Sequence, residues 1–255
     1  MSRVGIVVAC RLGSSRLPGK GLADIGGETV ISRCLTQCSA ASSAVEVVLA
    51  TSTRVEDAQL AEQRPSEAIG FHEGSLEDIF GRNLAVARRF GFDTIVRATG
   101  DNPLVSPEAI DTLVTDHFEQ EAQYSVFDGG TLGLTSVEVM EIRAMEEIAD
   151  RLGDTSGCEH LGWFFLENAD RFRINRPSPP AKLVRDYRLT VDYPEDLETI
   201  RRVVSELGPS QGAYSAEAVI GLLDAKPEIA AMNGHLRQGD SDPEYVEKMK
   251  RAVRL

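Results

Sequence analysis

Two arginines, a lysine and several small residues follow the first apolar segment, in the stretch CRLGSSRLPGK over residues 10–20. Backbone N–H groups of small residues at the end of a strand bind phosphate oxygens, and Arg11, Arg16 and Lys20 can add charge-assisted hydrogen bonds. Residues 1–20 contain no acidic residue, although the chain carries a net charge of −13. This local reversal of charge predicts a polyphosphate-binding loop; the alternative is an exposed basic surface loop.

The spacing within this loop excludes two common phosphate-binding motifs. Gly13 and Gly19 have five residues between them, whereas the Walker motif has four, and Gly21 rather than Ser or Thr follows Lys20. The G-x-G-x-x-G fingerprint of dinucleotide-binding folds does not follow any predicted strand. The loop is therefore expected to bind phosphate groups through a different motif.

Two aspartates follow apolar segments elsewhere in the chain, Asp101 in RATGDNP and Asp192 in RLTVDYP. Carboxylates at the carboxyl ends of two strands, facing one basic loop, can hold Mg²⁺ together with substrate phosphates. Taken alone, each aspartate can also be a turn residue, and Asp192 can cap a helix that begins at Pro194. Together with the loop, the pair predicts a metal–triphosphate site.

The elements that must position these residues alternate along the first half of the chain. Apolar runs predict strands at 3–10, 45–52, 67–72 and 93–101, and helical spacing of apolar residues predicts helices at 29–41, 56–63 and 76–91. Strands separated by helices predict a largely parallel sheet, in which ligands bind at the carboxyl ends of the strands. Further elements are predicted as a helix at 106–120, two strands within 122–140, helices at 141–152 and 155–168, a strand at 187–192, a helix from 194 and one or two helices after 209.

Composition restricts the class of protein. The chain has 255 residues, 42% of them hydrophobic, which is enough for a sizeable core. Its acidic balance argues against general nucleic-acid binding. The four cysteines show no C-x-x-C pair and predict buried, reduced thiols. Because apolar runs are short and no signal-peptide pattern is present, we expect a cytoplasmic protein with no membrane partner.

The motifs resemble those of the CTP-dependent sugar cytidylyltransferases, a family that includes the acylneuraminate and 3-deoxy-manno-octulosonate cytidylyltransferases. ACRLGSSRLPGK is similar to the family signature (A)-R-x-G-S-x-R-L-P-G-K. RATGDNP, CEHLGWFFLEN, TVDYPED and the tail AEAVIGLLDAKPEIAAMN resemble the branch named for spore coat polysaccharide biosynthesis. The chain departs from that branch after His160, where Leu161 and Gly162 replace the usual Val-Thr.

The resemblance implies transfer of CMP from CTP to a sugar or sugar-acid acceptor, with release of pyrophosphate, dependent on Mg²⁺ and serving surface polysaccharide biosynthesis. It also implies an α/β fold of the three-layer Rossmann-like nucleotidyltransferase type, with a mostly parallel mixed sheet and a small β/α insertion. Residues 1–255 would form one nucleotidyltransferase domain. Within it, 1–121 would bind the nucleotide, 122–185 would bind the acceptor and form a homodimer, and 186–255 would hold the final strand and C-terminal helices.

The resemblance and the side-chain chemistry together assign four groups of site residues. The catalytic group is Arg11, Arg16, Lys20 and Asp101. The nucleotide-binding group is Cys10, Arg11, Gly13, Ser14, Lys20, Thr51, Arg82, Arg97 and Asp101. The acceptor-binding group is Glu138, Glu159 and His160. The metal-binding pair is Asp101 and Asp192.

Several of these assignments have a structural alternative. Arg82 fits a solvated helix position as well as a contact to the cytosine base or a phosphate. Arg97 fits a salt bridge, and His160 a capped or buried structural position. Trp163 and the two phenylalanines after it predict a core or dimer-interface cluster rather than a sugar-stacking surface.

Three other functions stay open. One is a nucleotidyltransferase that uses another nucleotide, or a phosphonate or sugar-phosphate acceptor. Another is an inactive nucleotide-binding scaffold, against which the presence of both aspartates and Lys20 argues. A retaining-type glycosyltransferase fits less well, because the D-x-D pattern occurs at Asp240–Asp242 in the polar tail rather than at a strand end.

Overall fold

A seven-stranded mixed sheet forms the centre of the computed structural model, which describes residues 2–236 and 243–255. The strands are β1 (Val4–Ala9), β2 (Glu46–Ser52), β3 (Gly70–Gly74), β4 (Thr94–Thr99), β5 (Tyr124–Val126), β6 (Glu138–Glu141) and β7 (Ile174–Asn175). The α-helices are α1 (Val30–Ser39), α2 (Ile79–Phe90), α3 (Pro107–Glu119), α4 (Ile142–Leu152), α5 (Trp163–Leu166), α6 (Pro194–Leu207), α7 (Ala216–Ala225), α8 (Pro227–Ala231) and α9 (Pro243–Ala252). Short 3-10 helices span Lys20–Leu22, Val55–Gln63 and Ala181–Leu183.

The strand order is β3-β2-β1-β4-β6-β5-β7. Strands β3, β2, β1 and β4 run parallel, β6 is antiparallel to both β4 and β5, and β7 is parallel to β5. In this register Ala9 lies opposite Ala50 on one side and Thr99 on the other. The chain therefore leaves β1 and β4 at the same edge of the sheet, where the loop beginning at Cys10 meets the turn that holds Asp101.

Helices cover both faces of the sheet, because alternate residues of its buried strands point to opposite sides. In β1, Ile6 and Val8 pack into the layer formed with α1, α3, α6 and α7. Val7 packs into the opposite layer, with α2, α4 and α5. Phe164 and Phe165 are fully buried in that second layer, which confirms the prediction of an apolar core cluster at this position. The α/β fold class with a mostly parallel sheet is likewise confirmed.

The predicted strand at 187–192 is wrong. In that segment Arg188 forms only an isolated bridge with Leu132. The backbone N–H groups of Asp192 and Tyr193 donate instead to the Asp196 carboxylate, at 2.9 and 3.0 Å. The N–H groups of Leu189 and Val191 donate to the carbonyls of Leu132 and Asp101, at 2.9 and 2.8 Å. The donors of this segment therefore go to separate places rather than to one neighbouring strand, and Asp192 lies before a helix rather than after a strand.

Two other elements differ from their predicted form, and one predicted boundary shifts. The helix predicted at 155–168 forms only over Trp163–Leu166. Before it, the backbone turns at Gly157, whose φ of 81° does not fit an α-helix. The segment 56–63 forms a 3-10 helix rather than an α-helix, and the third strand is shifted to Gly70–Gly74.

Residues 122–185 contribute β5, β6 and β7 to the same sheet as the nucleotide-side strands. Their role in acceptor binding and dimerisation stays a prediction. The four cysteines are free and buried, as predicted. Within residues 2–236 and 243–255, helices that combine the length and the apolar character needed to cross a membrane are absent. The Asp240–Asp242 pair lies outside the described residues.

Candidate active site

The basic loop after β1 is a tight turn held by its own backbone. The N–H groups of Ser14 and Gly19 both donate to the Leu12 carbonyl, at 2.9 and 3.1 Å. Gly19 has a φ of 71°, a conformation that a residue with a Cβ rarely adopts. The turn therefore depends on the glycine, and it delivers Lys20 to the start of a short helix facing the sheet edge.

A buried carboxylate that no local sequence pattern indicates anchors the same loop. Asp57 is 1% exposed, and its Oδ1 accepts a hydrogen bond from the Leu12 N–H at 2.8 Å. The Ser52 hydroxyl donates to the other carboxylate oxygen. The sequence around Asp57 reads as an ordinary amphipathic segment, so only the tertiary contact reveals its function as an anchor.

A cleft of about 500 Å³ opens at the sheet edge beside this loop. Most of the predicted site residues line it: Cys10, Arg11, Gly13, Ser14, Arg16, Lys20, Arg82, Arg97, Asp101, Glu159 and His160. Burial raises the pKa of the Cys10 thiol to about 12, so this cysteine is a neutral part of the cleft floor. Thr51 lies fully buried inside β2 and outside the cleft lining, so its predicted nucleotide contact has no structural support.

Lys20 joins the two predicted metal-binding aspartates. Its ammonium lies 2.8 Å from Asp101 Oδ2 and 2.9 Å from Asp192 Oδ1. Burial lowers the pKa of Lys20, but the two carboxylates outweigh this effect and raise the pKa above its ordinary value. The lysine is therefore charged, and the two carboxylates face one point at the cleft although they are far apart in the chain.

Asp192 lies just before α6, outside the residues that line the cleft, and two arginines contact it in addition to Lys20. Arg16 lies 2.7 Å from its Oδ1, which Lys20 also contacts, and Arg188 lies 3.2 Å from its Oδ2. Burial raises the pKa of Asp192, but Lys20 and the arginines outweigh it and lower the pKa below its ordinary value. The residue that precedes α6 directly is Tyr193, and Asp196 in the first turn accepts from the backbone N–H groups of Asp192 and Tyr193, so Asp192 is not the helix cap.

The donor set at this point suits a hard cation. Clusters of three or more His, Cys, Asp or Glu side chains that could hold a metal by themselves are absent from residues 2–236 and 243–255. Asp101 and Asp192 supply carboxylate oxygens directed at a shared point, and Mg²⁺ is commonly bound by one or two carboxylates plus substrate phosphates. The two aspartates therefore fit a cation whose coordination the substrate completes.

Arg82 is a buried cation that forms no ion pair with any residue the structure describes. Its side chain lines the cleft and is 3% exposed, which excludes the solvated-helix alternative. Nη1 donates to the Ser75 carbonyl at 2.9 Å, and Nε has no hydrogen-bond partner among the described residues. Burial, and next the positive charge of Arg11, lowers the pKa of Arg82. Such a group is suited to bind an acceptor atom or anion of a ligand.

An ion pair lies behind the surface of the cleft wall that contains Arg97. Arg97 Nη1 lies 2.5 Å from Glu138 Oε2, and the Tyr124 hydroxyl donates to Glu138 Oε1 at 2.5 Å. Arg97 lines the cleft, whereas Glu138 lies behind Arg97, outside the lining. The salt-bridge alternative for Arg97 is thus present, and Glu138 reaches the cleft only through Arg97.

Glu159 and His160 lie where this wall meets the basic loop. Glu159 Oε1 is 2.6 Å from Arg11 Nη2, so an ion pair spans the cleft mouth. The ring of His160, an exposed residue, packs against Trp163 with ring centroids 4.3 Å apart and ring planes inclined by 36°. Burial, followed by the charge of Arg97, lowers the pKa of His160 and favours the neutral ring near pH 7.

Comparison with known proteins agrees with this geometry. A family model described as cytidylyltransferase matches residues 4–217. The spore coat polysaccharide biosynthesis protein SpsF of Bacillus subtilis is 26% identical over 243 residues, covering 90% of this chain and 98% of that protein. A cytidylyltransferase structure from Leptospira borgpetersenii superposes with a TM-score of 0.81 at 24% identity, covering 94% of this chain and 100% of that one.

A further solved structure, CMP:2-keto-3-deoxy-manno-octonic acid synthetase complexed with CTP, superposes with a TM-score of 0.60 at 19% identity, covering 80% of this chain and 99% of that one. At these identities the two superpositions establish the shared fold. The family model spans most of the chain, from β1 into α7. This chain therefore belongs to the cytidylyltransferase family of nucleotidyltransferase enzymes.

Proposed function

We propose that this protein transfers CMP from CTP to a sugar or sugar-acid acceptor and releases pyrophosphate, with Mg²⁺, in surface polysaccharide biosynthesis. The observation that carries the proposal is the Lys20 ammonium between Asp101 and Asp192, at 2.8 and 2.9 Å, on the edge of a cleft lined by the basic loop. Family membership and the names of the similar proteins support CTP as the donor and a sugar-type acceptor.

In this mechanism an acceptor oxygen attacks the α-phosphorus in line while pyrophosphate leaves. Negative charge grows on the leaving oxygens, and fixed cations stabilise it without reorganisation. Arg11, Arg16 and Lys20 would hold the β- and γ-phosphates, with backbone contacts from Gly13 and Ser14. Mg²⁺ held by Asp101 and Asp192 would supply further charge neutralisation when bound.

Binding of the triphosphate requires the present ion pairs to rearrange. Arg16 and Lys20 now contact Asp192, and Arg11 contacts Glu159. These acidic groups occupy the cations that we assign to phosphate, so each side chain must turn toward the ligand. We place the acceptor beside Glu159 and His160, where a neutral imidazole is available to accept the proton of an attacking hydroxyl.

An acceptor screen tests the proposal. The protein is incubated with CTP, Mg²⁺ and a panel of sugars, sugar acids, sugar phosphates and phosphonates, and pyrophosphate is measured. We expect release with at least one sugar or sugar acid. Release only with a phosphonate or sugar phosphate would replace the acceptor class, and CTP binding without release would support a nucleotide-binding scaffold. Absence of both release and calorimetric CTP binding would refute the proposal.

The oligomeric state is a separate part of the proposal. By resemblance to related enzymes we propose a homodimer formed through residues 122–185. Sedimentation velocity at several protein concentrations measures the mass in solution. A single species at the mass of one 27.8 kDa chain would overturn this part and leave the proposed chemistry unaffected.

A further inference from the structure

The C-terminal segment reaches the candidate active site through one buried side chain. Asn233 follows α8 and is 1% exposed. Its Nδ2 donates to the Arg188 carbonyl at 3.0 Å and to Asp196 Oδ1 at 2.8 Å. This residue lies beyond the segment 4–217 that the family model matches. The tail thus contacts two residues next to Asp192 from a part of the chain that lies beyond the match to the family model.

Asp196 connects this asparagine to an arginine. The carboxylate is completely buried, and it accepts from Arg188 Nε at 2.7 Å and from Arg188 Nη2 at 2.9 Å. Two parallel N–H···O bonds fix a guanidinium in orientation as well as in position. Since Asp196 also binds the backbone N–H of Asp192 at 2.9 Å, the same carboxylate fixes the chain at the candidate metal ligand.

Arg188 completes the connection to the cleft. Its Nη2 lies 3.2 Å from Asp192 Oδ2, on the side of the carboxylate away from Lys20. Lys20 and Arg16 both contact the other oxygen, Oδ1. The arginine therefore holds one oxygen at the back and leaves the other toward the cleft cations, a contact that would persist if Lys20 and Arg16 turned toward a ligand.

We propose that Asn233, Asp196 and Arg188 are positioning residues that hold the Asp192 carboxylate with Oδ1 toward the cleft, so that the C-terminal segment completes the cation–triphosphate site. The inference rests on the proposed function, because it assigns Asp192 to the cation that accompanies CTP. Side chains that orient metal ligands commonly change metal affinity by about 10–100-fold when they are removed.

A purely structural role is the competing explanation, since the same bonds attach the tail to α6. The two explanations differ in one readout, the dependence of CTP affinity on Mg²⁺. Calorimetry gives the CTP Kd in excess Mg²⁺ and in EDTA, and the ratio of the two values is the metal-dependent gain. We expect Asn233→Ala to reduce this gain by about tenfold or more while the Kd in EDTA stays near that of the wild type.

Arg188→Lys provides a second variant that keeps the charge and removes the paired N–H groups. It is expected to reduce the metal-dependent gain in the same direction, even if Asn233→Ala proves too unstable to purify. Asp192→Asn alters the proposed metal ligand itself. It should cause the largest loss of the metal-dependent gain, and the other two variants should lose no more than this.

Gln37 offers a matched control. It is fully buried and also ties the C-terminal segment to the fold, donating to the carbonyls of Val105 and Tyr214 at 3.0 and 3.1 Å and accepting from the Tyr214 N–H at 2.6 Å. Its bonds connect to neither Asp192 nor Arg188. We expect Gln37→Ala to lower the thermal midpoint and to leave the metal-dependent gain unchanged.

The outcomes separate the inference from the proposed function. If wild-type protein binds CTP with a metal-dependent gain, and both Asn233→Ala and Arg188→Lys retain that gain while losing thermal stability as Gln37→Ala does, the positioning role is wrong and the proposed function stands. Wild-type binding without any metal dependence overturns the assignment of Asp192 to the cation and the inference with it. Absence of CTP binding by the wild type overturns the proposed function.

Discussion

Lys20 is the residue on which the proposed chemistry depends most, because it links the basic loop to both aspartates. Lys20→Met keeps the length of the side chain and removes the charge. We expect CTP-dependent pyrophosphate release to fall by about 10²–10³, the usual effect of removing one group that stabilises the transition state.

The control for this variant is Lys182→Met. Lys182 also pairs with a carboxylate, that of Glu108, but on an exposed surface away from the cleft. Its loss is expected to leave the rate unchanged. Equal rates for Lys20→Met and the wild type, at saturating CTP, would contradict the assigned role of Lys20.

We expect the Arg82 side chain to destabilise the free protein and to strengthen CTP binding. Ion pairs with Arg82 are absent from the described ranges 2–236 and 243–255, and the negative charge of Asp57 offsets its buried positive charge only in part. Arg82→Met should raise the thermal midpoint of the free protein, since an unpaired buried charge is costly. It should also weaken CTP binding by about tenfold or more, the effect of a lost hydrogen bond from a charged donor. A lower midpoint with unchanged CTP affinity would show that the arginine is structural.

At the residue scale, the sequence predicts groups whose chemistry is local and misses those that act through distant contacts. The loop from Cys10 to Lys20 carries its charges and glycines together, so its function can be inferred from the motif. Asp57 and Asn233 carry no comparable local signal. Each acts by reaching a backbone or side-chain atom far away in the sequence, at Leu12 or Asp196.

Helix α3 and strand β5 meet at a histidine that should make stability depend on pH. His117 is 2% exposed, its Nδ1 lies 2.8 Å from Ser125 Oγ, and burial lowers its pKa to about 4. The unfolded chain binds this proton near the ordinary value of about 6.5, before the folded chain does. The contribution of His117 to the free energy of unfolding should therefore fall by about 3 kcal/mol or less as pH decreases from about 6.5 to about 4.

Urea unfolding at several pH values measures this slope. His117→Gln removes the titration and should flatten the pH dependence, whereas His235→Gln, which alters an exposed histidine, should leave it unchanged. The same slope in His117→Gln and the wild type would rule out His117 as its source.

Close packing around residue 162 explains the glycine in the segment EHLGW. A Cβ at Gly162 would lie 2.3 Å from the Tyr124 hydroxyl and 2.6 Å from Glu138 Oε1. We expect Gly162→Ala to lower the free energy of unfolding by about 1–3 kcal/mol, as overpacking usually does. Tyr124→Phe removes the hydroxyl, so the double variant should lose less than the sum of the single losses.

Gly221 supplies the comparison for this substitution, since it lies in α7 with open space around its Cβ position. Gly221→Ala is expected to stabilise the helix by about 0.5–1 kcal/mol. Thermal and urea unfolding of the four variants measure these differences. Strict additivity of Gly162→Ala and Tyr124→Phe would mean that the close approach does not explain the glycine.

At the scale of elements, the apolar strands of the first half are predictable because they are buried on both faces and read as continuous runs. In the segment 187–192, the same kind of apolar run wrongly predicts a strand. It also reads as apolar and extended, yet its N–H groups donate to three separate places: Leu189 to the Leu132 carbonyl, Val191 to the Asp101 carbonyl, and Asp192 to the Asp196 carboxylate at the start of α6. Whether such a segment forms a strand or leads into a helix depends on where its backbone N–H groups find hydrogen-bond partners. The periodicity of apolar residues does not contain this information.

At the scale of the whole molecule, the fold concentrates basic side chains at one site of an acidic protein. The net charge is −13, yet the cleft gathers Arg11, Arg16, Lys20, Arg82 and Arg97 at one edge of the sheet. Parallel pairing of β1 and β4 brings the loop and Asp101 together, which βαβ alternation predicts. The antiparallel placement of β6 against β4, which sets Glu138 behind Arg97, and the return of the tail to Asp196 require the assembled fold.

The most direct test of a CTP site is the thermal shift produced by CTP, UTP, GTP and ATP in the presence of Mg²⁺. A ligand that binds the folded protein raises its thermal midpoint, and at equal concentrations the ligand that binds most tightly raises it most. We expect the largest shift with CTP and the loss of this shift in Lys20→Met. A larger shift with another nucleotide, or no shift with any of the four, would contradict it.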